Sequence, residues 1–174
     1  MSAIVASTVV DRPVAEVFDY ATDPTRFSEW QQGVIDGHME GTADPTGSPT
    51  VGTRCVMTRR IGRANRTSTS ELVHIEPPGS WRVRGIDGPI RAAVDVLVEP
   101  VTDSRSRLTI TVDFTGRGIG RILVPLVIRR EARKEMPANV AALKQRLEAG
   151  QRFAGPAAQN AVLASQPSTT ELSP

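Results

Sequence analysis

The chain has 174 residues, of which 39% are hydrophobic and 23% charged, and this size and composition suit one soluble globular domain. Lys and Arg number 21 and Asp and Glu 19, so the formal net charge of +2 gives no reason to expect nucleic acid or an anionic membrane as the main partner. The single cysteine, Cys55, excludes an intramolecular disulfide and a thiolate zinc cluster, and two histidines are too few for a histidine-rich metal site. We expect no metal and no other cofactor.

The first ten residues lack a basic segment ahead of their apolar residues and run directly into Asp11, which does not fit a secretory signal peptide. The longest uninterrupted apolar stretch is Ile122–Ile128, whereas a membrane-spanning helix needs about 20 residues. We therefore expect a cytoplasmic protein without stable membrane insertion.

The first part of the chain predicts one strand followed by two short helices. Ile4–Val10 is rich in β-branched residues and favours a strand. Pro13 suits the first turn of a helix whose apolar residues, at helical spacing, are Val14, Val17, Phe18 and Ala21. Asp23 is placed to cap a second short helix that begins at Pro24 and ends near Trp30.

Residues 33–115 predict strands joined by short turns. Apolar and polar side chains alternate most clearly in Leu108–Phe114 and in Ala92–Glu99, whose valines share one face. Four further strands are predicted, at Val34–Glu40, Thr53–Ile61, Arg66–Glu76 and Trp81–Gly85. Six such strands imply an antiparallel meander with one apolar and one solvated face.

The chain ends in a predicted long helix and a tail. The helix runs from about residue 121 to 149, and its apolar stripe is Met136, Val140, Leu143 and Leu147. Its first residues, Ile122–Ile128, are apolar on every side and must be covered by protein, ligand or a partner. Pro137 predicts a kink or a restart, because an interior proline removes a helical hydrogen bond. Residues 150–174 predict a disordered tail.

The order and the residues of these elements resemble a known superfamily. The similarities, in chain order, are Val14–Phe18, Asp23-Pro24, Glu29-Trp30, Gly52-Thr53, Glu76–Pro78, Leu143-Lys144 and Leu147-Glu148. On these residues the segment 3–149 resembles the START-like, helix-grip superfamily called SRPBCC, in particular its polyketide cyclase/dehydrase-like branch.

The resemblance implies an α+β helix-grip fold, in which a curved antiparallel seven-stranded sheet (order β-α-α-β6-α) wraps around the long C-terminal helix. It implies a ligand-binding domain at residues 1–149, with the tail at 150–174. It also implies a cavity between sheet and helix that binds an apolar or polycyclic small molecule. From the alternation of the strands and the apolar helix start we expect the ligand to contact Met57, Trp81, Val94, Val96, Ile110, Val112, Phe114, Leu123 and Leu126.

The alternative function implied by the resemblance is a polyketide cyclase/dehydrase-like enzyme, which needs acid and base groups inside the cavity. Arg59 faces inward if Cys55 does, and Glu71 faces inward if Val73 does. Arg59 and Glu71 are therefore the catalytic candidates, and the alternative is that both are solvated near strand ends. A bulge would reverse either orientation.

Each remaining reactive or aromatic side chain has a structural alternative. His38 and His74 belong to a residue type suited to general-base chemistry, but the alternation around His74 favours an exposed position, as does the strand end at His38. Cys55 has no neighbouring His or Asp and is more typical of a core residue than of a nucleophile. Trp30 and Trp81 are either core residues or part of a cavity wall.

Residues 119–149 carry seven basic and three acidic side chains, so the C-terminal helix is basic and the rest of the chain slightly acidic. This charge suits an anionic headgroup or a membrane surface, or a solvated outer face with pairs such as Glu131 and Lys134. A third function class is an interaction protein, such as a homodimer, that buries Ile122–Ile128 against a second subunit.

Overall fold

The computed structural model describes residues 3–41, 43–88, 91–114 and 123–153, the last range as backbone alone at 123–128 and 151–153. The elements follow the predicted order. They are β1 Ile4–Val10, α1 Val14–Thr22, a 3₁₀ turn Pro24–Arg26, α2 Phe27–Trp30, β2 Val34–Glu40, β3 Arg54–Ile61, β4 Ala64–Glu76, β5 Ser80–Asp87, β6 Ala92–Thr102, β7 Arg105–Phe114 and α3 Leu123–Phe153.

The seven strands form one antiparallel sheet in the order β1-β7-β6-β5-β4-β3-β2. Strands β2 to β7 are a meander, because each pairs with the next strand along the chain, and β1 is added beside β7. The sheet curves, and the buried residues of its inner face pack against those of α1, α2 and α3. This is the predicted α+β helix-grip architecture.

The 3₁₀ turn and α2 lie against β2 at one edge of the sheet. The Asp23 carboxylate accepts a hydrogen bond from the backbone N–H of Thr25 at 2.9 Å, which confirms the predicted cap of the 3₁₀ turn. Strand β2 passes this turn so closely that a Cβ on Gly37 would lie 2.5 Å from the carbonyl oxygen of Pro24. Only glycine fits there, so the turn and α2 are held against the strand.

One register shift in β4 changes which side chains face the core. Leu72 pairs with Val83, but the next pair joins His74 to Arg82, so Val73 is an extra residue. Such a bulge bends the strand and resets the alternation of its side chains. Leu72 is consequently completely buried, and His74 lies beside the exposed Arg82 on the outer face, as predicted.

Contacts along α3 attach it to the sheet at both ends. Near its beginning, the buried Arg129 donates a hydrogen bond to Asp113 of β7 at 2.9 Å. Near its end, the Lys144 ammonium group donates to the carbonyl of Val9 in β1 at 2.6 Å. The predicted apolar stripe between and beyond these contacts belongs to the core or packs against it.

The other basic residues of α3 favour the solvated-face interpretation of its charge. Arg130, Arg133 and Lys134 are exposed, and the Lys134 ammonium lies 3.5 Å from the carboxylate of Glu131. Within the described ranges, no helix is both long enough and apolar enough to cross a membrane.

Helix α3 continues through Pro137, so the predicted restart is wrong. The proline is exposed, and water can therefore solvate the carbonyl that loses its helical partner. The helix ends at Phe153, about one turn beyond the predicted end at residue 149. Residues 150–153 of the predicted tail at 150–174 thus belong to α3. Residues 154–174 of that tail and the side chains of the apolar segment 122–128 lie outside the described residues.

Candidate ligand-binding cavity

A cavity of about 470 Å³ lies between the inner face of the sheet and α3, and residues of α2 form part of its wall. Small-molecule sites commonly have volumes of about 300–1,000 Å³. Seven of the predicted contact residues line it, namely Met57, Trp81, Val94, Val96, Ile110, Val112 and Phe114. The side chains of Leu123 and Leu126 lie outside the described residues. Contact of these residues with a ligand stays a prediction.

The interior of the cavity is apolar because alternate residues of neighbouring strands share the inner face. Strands β6 and β7 pair Val94 with Val112 and Val96 with Ile110, and all four valine and isoleucine side chains line the cavity. Trp81, which is only 3% exposed, closes this wall on β5. A ligand in this part of the cavity meets hydrocarbon and an aromatic ring.

Four polar residues of the lining lie where the cavity opens to solvent. We call these residues, Gln31, Arg59, Arg66 and Glu135, the mouth of the cavity. The Arg59 guanidinium donates from Nη1 to Glu135 Oε2 at 3.2 Å and from Nη2 to Gln31 Oε1 at 3.3 Å. The side chains of Arg59 and Glu135 are 28% and 31% exposed. These bonds connect β3 with α3 and with the residue that follows α2.

Arg66 begins a polar stripe on the inner face of β4. It lies directly opposite Arg59 in the register of β3 and β4, is exposed, and lines the cavity. Its guanidinium has no ion pair or hydrogen bond with the residues that the structure describes. Ser68 and Ser70 follow at alternate positions and also line the cavity. The stripe therefore runs from the mouth toward the apolar interior.

The catalytic candidates are separated by the sheet. Arg59 lines the cavity, as its predicted orientation requires. Glu71 instead lies between the exposed Arg54 and Arg84 on the outer face. The bulge at Val73 reverses the alternation of β4, so Glu71 does not share the inner face with Ile75. The predicted inward orientation of Glu71 is wrong, and the expected pairing of Arg59 with Glu71 does not form.

Glu135 is the carboxylate that meets Arg59, and the sequence interpretation missed it. A partial signal was present, because Glu135 precedes Met136 of the apolar stripe and lies four residues before Asn139 on the same helix face. Asn139 is buried, and its side-chain oxygen accepts a hydrogen bond from the backbone N–H of Gln32 at 2.9 Å. The helix spacing indicated a shared face but not that this face meets β3.

The remaining candidates have the structural role that the sequence favoured. Cys55 is buried in the cavity wall, and burial raises the pKa of its thiol to about 12, which leaves almost no thiolate for nucleophilic attack. His38 is exposed and forms a 3.0 Å contact with Glu40. Among the described residues no group of three or more His, Cys, Asp or Glu could hold a metal ion.

We expect the native Cys55 thiol to react about a thousandfold more slowly with iodoacetamide at pH 8 than the thiol of the urea-unfolded chain. The reason is that burial raises its pKa from 9.0 to about 12, and only the thiolate attacks the reagent. Mass spectrometry of timed samples measures both rates. Equal rates in the native and unfolded protein would contradict the buried position.

Both tryptophans belong to the cavity wall as well as to the core. Trp30 packs edge-on against Phe27, with ring centroids 5.7 Å apart, and both rings line the cavity. The indole N–H groups of Trp30 and Trp81 are buried without a hydrogen-bond partner among the described residues. Each tryptophan is therefore both a core residue and part of the cavity wall, which were the two alternatives left open by the sequence.

Residues 1–148 match the sequence model of a family described as polyketide cyclase/dehydrase and lipid transport. The chain belongs to this family. A search of curated protein sequences found no match. Family membership agrees with the helix-grip fold and with a cavity between sheet and helix, but the family description covers both catalysis and transport.

Solved structures share the fold of this family member at low sequence identity. The aromatase/cyclase Zhui from Streptomyces sp. R1128 has a TM-score of 0.69 at 16% identity, covering 88% of this chain and 98% of its own. A START superfamily protein from Mycobacterium smegmatis has a TM-score of 0.67 at 10% identity, covering 84% and 97%. A protein from Thermus thermophilus also has a TM-score of 0.67, at 14% identity, covering 86% and 99%.

Proposed function

We propose that this protein binds an apolar or polycyclic small molecule in the cavity between the sheet and α3. The observation that carries the proposal is the continuous apolar wall built by β5, β6 and β7 beside a solvent-accessible mouth. Transfer of apolar ligand surface from water to such a wall is favourable by about 25 cal/mol per Å². The shape and the lining thus supply both the space and the driving force for binding.

Titration with a neutral, polarity-sensitive dye such as Nile red tests this proposal. We expect saturable enhancement of the dye fluorescence with one dye bound per chain. Neutral polycyclic compounds with oxygen substituents should compete with the dye. Native mass spectrometry of the purified protein reports any ligand that co-purifies. The absence of saturable binding for the dye and for every competitor would overturn the proposal.

The ion pair between Arg59 and Glu135 favours a second function, a cyclase/dehydrase-like enzyme. Both side chains line the cavity, and the carboxylate is only partly exposed to solvent. A carboxylate within hydrogen-bond reach of a bound carbonyl compound can transfer a proton, and an adjacent guanidinium can stabilise developing negative charge. Glu135 would then act as the acid–base group and Arg59 as its electrostatic partner.

Substitution of Glu135 by Gln tests the second function in assays with aromatic polyketide chains. We expect turnover to fall at least a hundredfold, because general acid–base groups contribute about 10²–10⁴ to the rate, while dye binding persists. Glu71→Gln is the matched control and should leave turnover unchanged, since Glu71 lies on the outer face. Unchanged turnover in the Glu135→Gln variant, or none in the unmodified protein, would overturn this function.

A further inference from the structure

We propose that the ligand of the cavity is an amphipathic carboxylic acid whose carboxylate is bound by Arg66 at the mouth. This inference rests on the proposed binding function and adds the chemical class of the ligand. It follows from three features of the mouth: its balance of charges, the register of β3 and β4, and the direction of the polar stripe.

Two arginines of the cavity lining have no carboxylate partner among the described residues, and one of them, Arg60, instead donates a hydrogen bond to the side chain of Asn65 at 3.4 Å. Among the lining residues, Glu135 pairs with Arg59 at 3.2 Å, and Glu131 lies 3.5 Å from Lys134. Both lining carboxylates thus already have a cationic partner, which disfavours a cationic ligand. The Arg66 guanidinium has no such partner among the described residues and is exposed at the cavity surface.

The register of the sheet adds a reason for an anion at this point. Arg59 and Arg66 are directly opposite each other on adjacent antiparallel strands. Like charges in that position repel, and the pair is destabilising unless an anion lies close to both groups. Glu135 supplies one carboxylate, on the Arg59 side. A ligand carboxylate at Arg66 would supply the second, and a guanidinium can hold it through two parallel hydrogen bonds.

The polar stripe gives the ligand a direction. Ser68 and Ser70 continue from Arg66 along the inner face of β4 at alternate positions, which are about 6.6 Å apart along a strand. Ser70 is opposite the buried Cys55, so the stripe ends beside the apolar interior. An acid with its carboxylate at Arg66 therefore directs its hydrocarbon body toward Trp81 and the valines of β6. Its oxygen substituents can meet the two serine hydroxyls.

A matched pair of probes, 4-(2-naphthyl)butanoic acid and its primary amide, tests the inference by isothermal titration calorimetry. The two compounds share one skeleton and differ in charge. We expect the full-length protein to bind the acid at least tenfold more tightly than the amide, which corresponds to about 1.4 kcal/mol. This preference should decrease as the salt concentration rises, because the mouth is exposed to solvent.

Arg66→Gln should reduce the affinity for the acid to that for the amide and leave the affinity for the amide unchanged. Arg66→Lys keeps the charge and should retain most of the preference. Arg63→Gln is the matched control, because Arg63 is an exposed arginine in the same hairpin that does not line the cavity. Unchanged binding of the amide shows that each variant is folded.

Equal affinities of the unmodified protein for acid and amide, or a preference that survives Arg66→Gln, would overturn the inference while the binding function stands. Failure of the acid, the amide and Nile red to bind would instead overturn the proposed binding function, and the inference with it.

Discussion

Replacement of Val94 by phenylalanine is expected to weaken the binding of neutral apolar ligands at least tenfold. Val94 is half-buried in the apolar wall, where it pairs with Val83 and Val112 on the neighbouring strands. A phenyl ring at this position projects into the cavity and occupies volume that the ligand needs. Nile red titration measures the loss of affinity, and chemical denaturation measures the stability of the variant.

Ala93→Phe is the control for this prediction, because Ala93 is the next residue of the same strand and does not line the cavity. It pairs with Arg84 and Asp113, which lie on the outer face. The control should keep the full affinity for Nile red. If Val94→Phe keeps it as well, the dye does not bind between the sheet and α3, and the proposed function loses its support.

Replacement of Leu143 by alanine is expected to lower the free energy of unfolding by about 2–5 kcal/mol, the range measured for fully buried leucines. Leu143 has no exposed surface and belongs to the core between α3 and the sheet. The cost has two parts, the lost transfer free energy of the side chain and the cavity left in the core. Urea unfolding followed by circular dichroism measures it.

Gln145→Ala on the same helix is the matched control, because Gln145 is exposed. Its free energy of unfolding should change by less than about 0.5 kcal/mol. A loss below about 1 kcal/mol for Leu143→Ala would mean that α3 does not pack against the sheet through this residue, and the cavity would then lack its helical wall.

Local sequence patterns were sufficient for the elements and for most of the cavity wall. Alternation in Leu108–Phe114 and Ala92–Glu99 predicted both the strands and their inner faces, because side chains of a regular strand change sides at every residue. The resemblance then supplied what periodicity lacks, namely that a helix covers this face. The family match over residues 1–148 and the structure agree with it.

The same rule failed where the strand is irregular. In a regular β4, Glu71 would share the face of Val73, as alternation predicts. Val73 is instead a bulge residue, and Glu71 faces outward. A bulge depends on how two strands pair, and the sequence of one strand does not specify the partner's register. The position of one catalytic candidate was therefore set by pairing with β5.

The order of the elements and the apolar inner faces of β6 and β7 follow from the amino-acid sequence alone, because they depend on spacing along the chain. The polar groups that meet at the mouth are determined by the folded arrangement. Arg59 and Glu135 are 76 positions apart, and Arg59 and Arg66 become neighbours through the register of β3 and β4. Such meetings depend on strand register and on how α3 packs across the sheet, so they arise only when the chain is folded.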